Sequence, residues 1–146
     1  MILLNHTALH KLKVHGMSTY PDECCGILLG MDENGTRKVC DIFEIRNAMS
    51  TQRERRFLIP DDQYRRAEEF ARQQGVQIVG LYHSHPDHPA EPSQFDLENA
   101  LPWFSYVIVA VEAGIPAEVR SWRLRENRSQ FDEEEFLVVE AECVHG

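Results

Sequence analysis

From residue 73 to residue 119 the chain has no lysine and no arginine, yet it carries six carboxylates. Over its whole length 15 basic residues face 24 acidic ones, a formal net charge of −9. Such a balance offers no continuous phosphate-binding surface, which argues against a nucleic-acid partner. Long apolar runs are also missing. The longest lies near residues 107–111, far short of a bilayer span, so no membrane association is expected. No charged segment leads into an apolar stretch at the N-terminus, so the reading is a cytoplasmic protein without a signal peptide. There is no C-x-x-C pair. Cys24, Cys25, Cys40 and Cys143 are read as reduced thiols, neither a disulfide framework nor a cysteine-based zinc site. Repeats and low-complexity tracts are absent. The 146 residues are expected to form one domain, with a core over about 5–125 and an acidic C-terminal segment over 129–146.

What is present begins with alternating helix and strand signals. Residues 7–18 read as a helix with Thr7 as N-cap, ending before Pro21. The apolar run 25–31, then Asn34-Gly35, then 37–46 predict an antiparallel hairpin. Residues 56–59 suit a short strand. Pro60-Asp61-Asp62 opens a second helix that Gly75 stops. Residues 76–85 read as a strand, and Pro86, Pro89 and Pro92 stiffen the loop after it. Ser93 begins a short helix. Residues 106–111 fit a strand covered on both faces, and 119–124 alternate. Residues 136–139 fit a last strand or helix equally. The implied fold is mixed α/β, a central, largely antiparallel sheet flanked by two or three helices.

The densest chemistry is Tyr82-His83-Ser84-His85-Pro86-Asp87-His88, followed by Ser93 and Asp96. Side chains alternate along a strand, so His83 and His85 point to one face. Asp96, on the first turn of the next helix, can return a carboxylate to them. Two nitrogens and one oxygen, with a fourth place open, form the ligand pattern of catalytic zinc. The lack of lysine and arginine around these residues favours a divalent cation. Plainer readings exist for the same residues. Ser93-x-x-Asp96 is also an ordinary helix start, Glu23 alone reads as a surface carboxylate, and His6, His10 and His15 read as helix-surface residues. His88 is expected to be exposed. The pattern H-x-H-x-D-H over His83, His85, Asp87 and His88 resembles the metallo-β-lactamase-like hydrolases. That family needs further histidines downstream, where only His145 stands.

A second resemblance uses more of the chain. Glu23, then His83-Ser84-His85-Pro86, then Ser93 and Asp96 reproduce the signature of the JAMM domain (MPN-type, Mov34/Pad-1-like), a metalloprotease with a cytidine-deaminase-like fold. The segment Pro21-Asp22-Glu23-Cys24-Cys25-Gly26 resembles the family's P-x-E-x-C-G stretch. The resemblance implies that His83, His85 and Asp96 bind one Zn²⁺, that Glu23 handles the water proton and that Ser93 steadies the oxyanion. It implies hydrolysis of a peptide or isopeptide bond after the C-terminal Gly-Gly of a ubiquitin-like or sulfur-carrier protein, as in stand-alone prokaryotic members. A non-catalytic module that binds ubiquitin-like partners is the alternative within the same fold. Relatives often dimerise, which leaves a homodimer open. Arg53, Arg55 and Arg56 are candidates to contact an acidic carrier, beside an edge near residues 53–59 where a tail can add as a strand.

Overall fold

The computed structural model describes residues 1–47 and 59–140. Expectations at residues 48–58, among them Arg53, Arg55 and Arg56 and most of the strand over 56–59, lie outside the described residues. So do those at Cys143 and His145.

The elements run β1 (Ile2–Asn5), α1 (His6–Thr19), β2 (Cys25–Glu33), β3 (Thr36–Ile45), α2 (Asp61–Gln74), β4 (Gln77–Pro86), α3 (Gln94–Asn99), β5 (Ser105–Glu112), β6 (Ile115–Leu124), β7 (Phe131–Glu134) and β8 (Phe136–Val139). They form one mixed sheet in the order β7-β6-β5-β4-β2-β3-β1-β8. The Asn34-Gly35 hairpin forms as expected, with both residues at positive φ (55° and 89°), the backbone a tight two-residue turn needs. The second helix ends at Gly75 in the left-handed conformation. The first helix is capped by Asn5 rather than Thr7: the Asn5 side chain accepts from Ala8 N–H at 2.8 Å. Residues 136–139 are a strand.

Alternation along β2 divides the core. Leu28 faces α1 together with Ala8, Leu12, Val39, Val79 and Val107. Ile27 and Leu29 face α2, against Ala67 and Ala71. Strand β5 is buried on both faces, as its continuous apolar run predicts.

The ends of the sheet meet. β7 and β8 stand at opposite ends of the strand order, yet only Glu135 separates them in the chain. The sheet therefore curls until one kinked segment bonds β6 on one side and β1 on the other, with Ile2 N–H donating to Glu135 O at 2.9 Å. This segment is the acidic one. Its Asp132, Glu133 and Glu134 pair with Arg125, Arg120 and Arg123. Inside the curl lies Arg37, fully buried, donating to Val79 O at 2.8 Å, Ser105 Oγ at 3.0 Å and Trp103 O.

Two sequence expectations are corrected. His15 is buried, not on the helix surface, and shares a 2.7 Å hydrogen bond with Tyr82 Oη. Tyr82 reaches it because Gly26 has no side chain: a Cβ there would sit 2.3 Å from the Tyr82 ring and hydroxyl. Cys40 is disulfide-bonded, whereas Cys24 and Cys25 are free and buried. No spacing motif sets Cys40 apart from the other cysteines, which is why the sequence read as four free thiols.

Candidate metal centre

Strand β4 carries His83 and His85 on one face. Its antiparallel pairing with β2 sets Cys25 opposite His83. Continued two residues further, that register puts Glu23 opposite His85, on the same face as both imidazoles. The ladder changes character at this point. Ser84 N–H donates to Cys24 O at 3.1 Å, but Cys24 N–H donates to the Ser84 hydroxyl oxygen, at 2.8 Å, rather than to its carbonyl. Ser84 points away from the histidines and holds the strand that carries Glu23. Asn47 Nδ2 also donates to Glu23 O, at 3.2 Å.

The third side chain comes from α3. Ser93 caps that helix, accepting from Asp96 N–H at 3.1 Å, while Asp96 Oδ2 accepts from Ser93 N–H at 2.9 Å. This reciprocal capping box fixes the carboxylate. Asp96 Oδ2 then lies 3.1 Å from His83 Nε2 and 3.1 Å from His85 Nε2, and the two Nε2 atoms are 3.1 Å apart. The plain reading of Ser93 and Asp96 as a helix start and their placement at the site are both true.

Tautomer follows from the second ring nitrogen. His85 Nδ1 lies 2.9 Å from Pro89 O, and a carbonyl only accepts. Nδ1 therefore holds the proton, leaving the Nε2 lone pair directed at the cluster, the arrangement of a metal-binding histidine. All four side chains are buried: Glu23 is 2%, His83 1%, His85 6% and Asp96 7% exposed. Burial lowers the His83 pKa, with Asp96 opposing. Burial alone would raise the Asp96 carboxyl, but the His83 and His85 imidazoles hold it well below the usual carboxylate range.

The donor set fits a divalent zinc ion. Zn–N and Zn–O bonds of about 2.0–2.1 Å in a tetrahedron put neighbouring ligand atoms roughly 3.3 Å apart. The observed triangle has 3.1 Å sides. Glu23 belongs to the same constellation, with a carboxylate oxygen and the two imidazoles offering donor atoms within 4.8 Å of one another.

Three of the described cavities touch the cluster, one of them, of about 640 Å³, meeting Glu23 beside His15, Thr19 and Asn47. An apolar one of about 340 Å³ touches His83 and Asp96 and is walled by Tyr64, Leu81, Phe95 and Phe104. A cleft of about 430 Å³ joins Glu23, His85 and Ser93 to the loop of Pro86, Pro89 and Pro92.

Asp87 is not a ligand. Its Oδ2 accepts from Tyr20 Oη–H at 2.5 Å and its Oδ1 from Ala113 N–H at 2.8 Å, which clasps the loop to the segment before Glu23 and to the β5–β6 turn. The metallo-β-lactamase-like reading of Asp87 and His88 loses its second metal ligand there. His88 is exposed, as expected. The thiols beside Glu23 are not reactive groups either; burial pushes Cys24 up to about 12 and Cys25 higher still. Sequence reasoning passed over Ser84 and the Pro89 carbonyl. Alternation along β4 places Ser84 opposite the histidines, a signal available beforehand, whereas nothing local marks Pro89 O.

A curled mixed sheet with this cluster at the end of β4 defines a JAB/MPN-type domain. The chain belongs to the prokaryotic homologs of the JAB domain, whose profile matches residues 6–125. It is 30% identical over 138 residues to the desampylase of Pyrococcus furiosus, covering 94% of this chain and 90% of that protein. The solution structure of protein DSY2949 from Desulfitobacterium hafniense superposes with a TM-score of 0.86 at 28% identity, covering 97% of this chain and 95% of that one. The JAB1/MPN domain protein AF2198 from Archaeoglobus fulgidus shares the fold at 19% identity and a TM-score of 0.59, over 93% of this chain and 97% of that one. Among the described residues no helix is long and apolar enough to cross a membrane.

Proposed function

We propose that this protein is a zinc-dependent peptidase or isopeptidase. It hydrolyses the bond after the C-terminal Gly-Gly of a ubiquitin-like or sulfur-carrier protein. The observation that carries the reading is the 3.1 Å triangle of His83 Nε2, His85 Nε2 and Asp96 Oδ2 with Glu23 on the same face. The similarity to a desampylase supports the substrate class.

His83, His85 and Asp96 hold one Zn²⁺. A bound zinc supplies Lewis acidity, polarising a carbonyl and lowering the pKa of water. Glu23 takes the proton of the attacking water and delivers it to the leaving amine. The Ser93 oxygen already accepts Asp96 N–H. Its own proton stays available for the carbonyl oxygen as that atom gains charge. The cavity walled by Tyr64, Leu81, Phe95 and Phe104 seats the apolar part of the carrier's tail. Glycines at the end of that tail let its backbone approach the buried cluster closely.

The test is incubation with ubiquitin-like carriers bearing C-terminal additions, read by intact mass. Loss of the addition with return of the Gly-Gly end is the expected result. A protein that holds one zinc per chain, binds such carriers and cleaves none would instead be the non-catalytic module.

A further inference from the structure

Asp87 follows His85 by two residues, and the proposed chemistry gives it no task. Its backbone sits at a positive φ of 56°. Aspartate and asparagine enter that region more readily than most residues with a side chain. Three hydrogen bonds converge on it. Its N–H donates to Val111 O at 2.8 Å, its Oδ1 accepts from Ala113 N–H at 2.8 Å, and its Oδ2 accepts from Tyr20 Oη–H at 2.5 Å.

Both ends of the Tyr20–Asp87 bond lead to the site through closed turns. On one side, Tyr20 lies inside a turn in which Asp22 N–H donates to Thr19 O at 2.8 Å and Thr19 Oγ1 lies 3.1 Å from Asp22 O. Glu23 is the next residue, and Cys24 N–H is then fixed on Ser84 Oγ at 2.8 Å. On the other side, Asp87 belongs to the loop whose Pro89 carbonyl accepts from His85 Nδ1 at 2.9 Å. One side-chain hydrogen bond therefore joins the turn that leads into Glu23 to the loop that orients the His85 ring, across 67 positions of sequence.

We propose that Asp87 and Tyr20 are positioning residues: their clasp sets the Glu23 carboxylate against the triangle of His83, His85 and Asp96. This rests on the function proposed above, in which Glu23 moves the proton. Asp87 is exposed, so its replacement removes the clasp without opening the core. Glu23 then keeps Asn47 on its carbonyl, and Cys24 keeps Ser84, so fold and triangle persist while the turn before Glu23 loosens. A misplacement of about 1 Å at a reacting group can cost about 10² in rate.

The experiment measures zinc content, kcat and KM on a ubiquitin-like carrier with a C-terminal addition. Asp87→Gly suits the positive φ and removes both side-chain bonds. It is expected to keep one zinc per chain and the parent KM while kcat falls about 10–100-fold, the pattern of a group that acts on the transition state. Tyr20→Phe, which removes only the hydroxyl, is expected to lower kcat in the same direction. The double variant is expected to fall no further than Asp87→Gly, because the two residues share one bond. Asp87→Asn also fits the left-handed backbone, accepts from Ala113 and can donate to Tyr20 Oη, and is expected to recover most of kcat. Parent kcat in Asp87→Gly, a loss confined to KM, loss of zinc, or additive effects in the double variant overturns the clasp and leaves the peptidase reading standing. A parent protein that cleaves no carrier overturns both. A second measurement needs no turnover. Amide hydrogen exchange at Cys24 is expected to run about tenfold faster in Asp87→Gly, the weight of one hydrogen bond, and to return toward the parent rate in Asp87→Asn; an unchanged rate in Asp87→Gly overturns the proposal.

Discussion

Cys25 of β2 lies directly opposite His83 of β4, and this one pairing brings Glu23 to the imidazoles. The two motifs stand 60 residues apart in the chain, as Cys24 and its partner Ser84 do. Their meeting depends on register. A slip of one residue would turn Glu23 to the opposite face, against α1.

Replacing Glu23 with Gln keeps size and removes the base. Turnover should fall by about 10²–10⁴, the usual share of general acid–base catalysis. Zinc content measured by elemental analysis should stay at one per chain. A variant that turns over at the parent rate, free of parent contamination, would remove Glu23 from the reaction.

Chelation should abolish cleavage, and zinc added back should restore it. Asp96→Ala should lower both metal content and activity, because it removes one corner of the triangle and the acceptor for Ser93 N–H. Asp87→Ala, by contrast, should leave zinc at one per chain. Retained stoichiometric zinc in the Asp96 variant would contradict the assigned ligand set.

The metal-free protein should lose stability in acid. Burial depresses both His83 and His15 below the ordinary value of 6.5, with Asp96 and Glu44 respectively opposing. The unfolded chain then binds protons that the native state refuses. This stability is present above about pH 6.5 and is lost as pH falls below it. Urea midpoints at pH 7.5 and 5.5 read the slope directly; equal midpoints, or a higher one in acid, would count against two buried neutral imidazoles.

Gly26→Ala should destabilise by about 1–3 kcal/mol, the cost of overpacking a rigid core. The new Cβ would meet the Tyr82 ring and hydroxyl at 2.3 Å, within the sheet that carries His83. Thermal unfolding measures the loss. A variant as stable as the parent would show that Tyr82 moves aside freely, at the expense of its bond to His15.

The residue types at the site were legible in the sequence. His83 and His85 stand two apart in a strand-like run, and period two alone puts both rings on one face. Ser93 and Asp96 satisfy a capping rule that needs three residues of context. The Asn34-Gly35 hairpin and the bounds of α2 are likewise local. These features depend on backbone preferences within a few residues, so the chain carries them openly.

What surrounds those residues was not legible. Strands β1, β7 and β8 are four residues each, too short for a periodic signal. The acidic C-terminal stretch had no reading until the curl of the sheet set Glu133 and Glu134 against Arg120 and Arg123 of β6, and Asp132 against Arg125 just after it. His15 looked like a surface residue because its partner, Tyr82, is 67 positions away. The sequence by itself determined which side chains supply the imidazoles and carboxylates of the candidate site. Only the tertiary structure decided that Asp96 joins the imidazoles while Asp87 turns away to Tyr20. The physical reason is that strand neighbours and register are chosen by the whole buried core, whereas alternation and capping act within single elements.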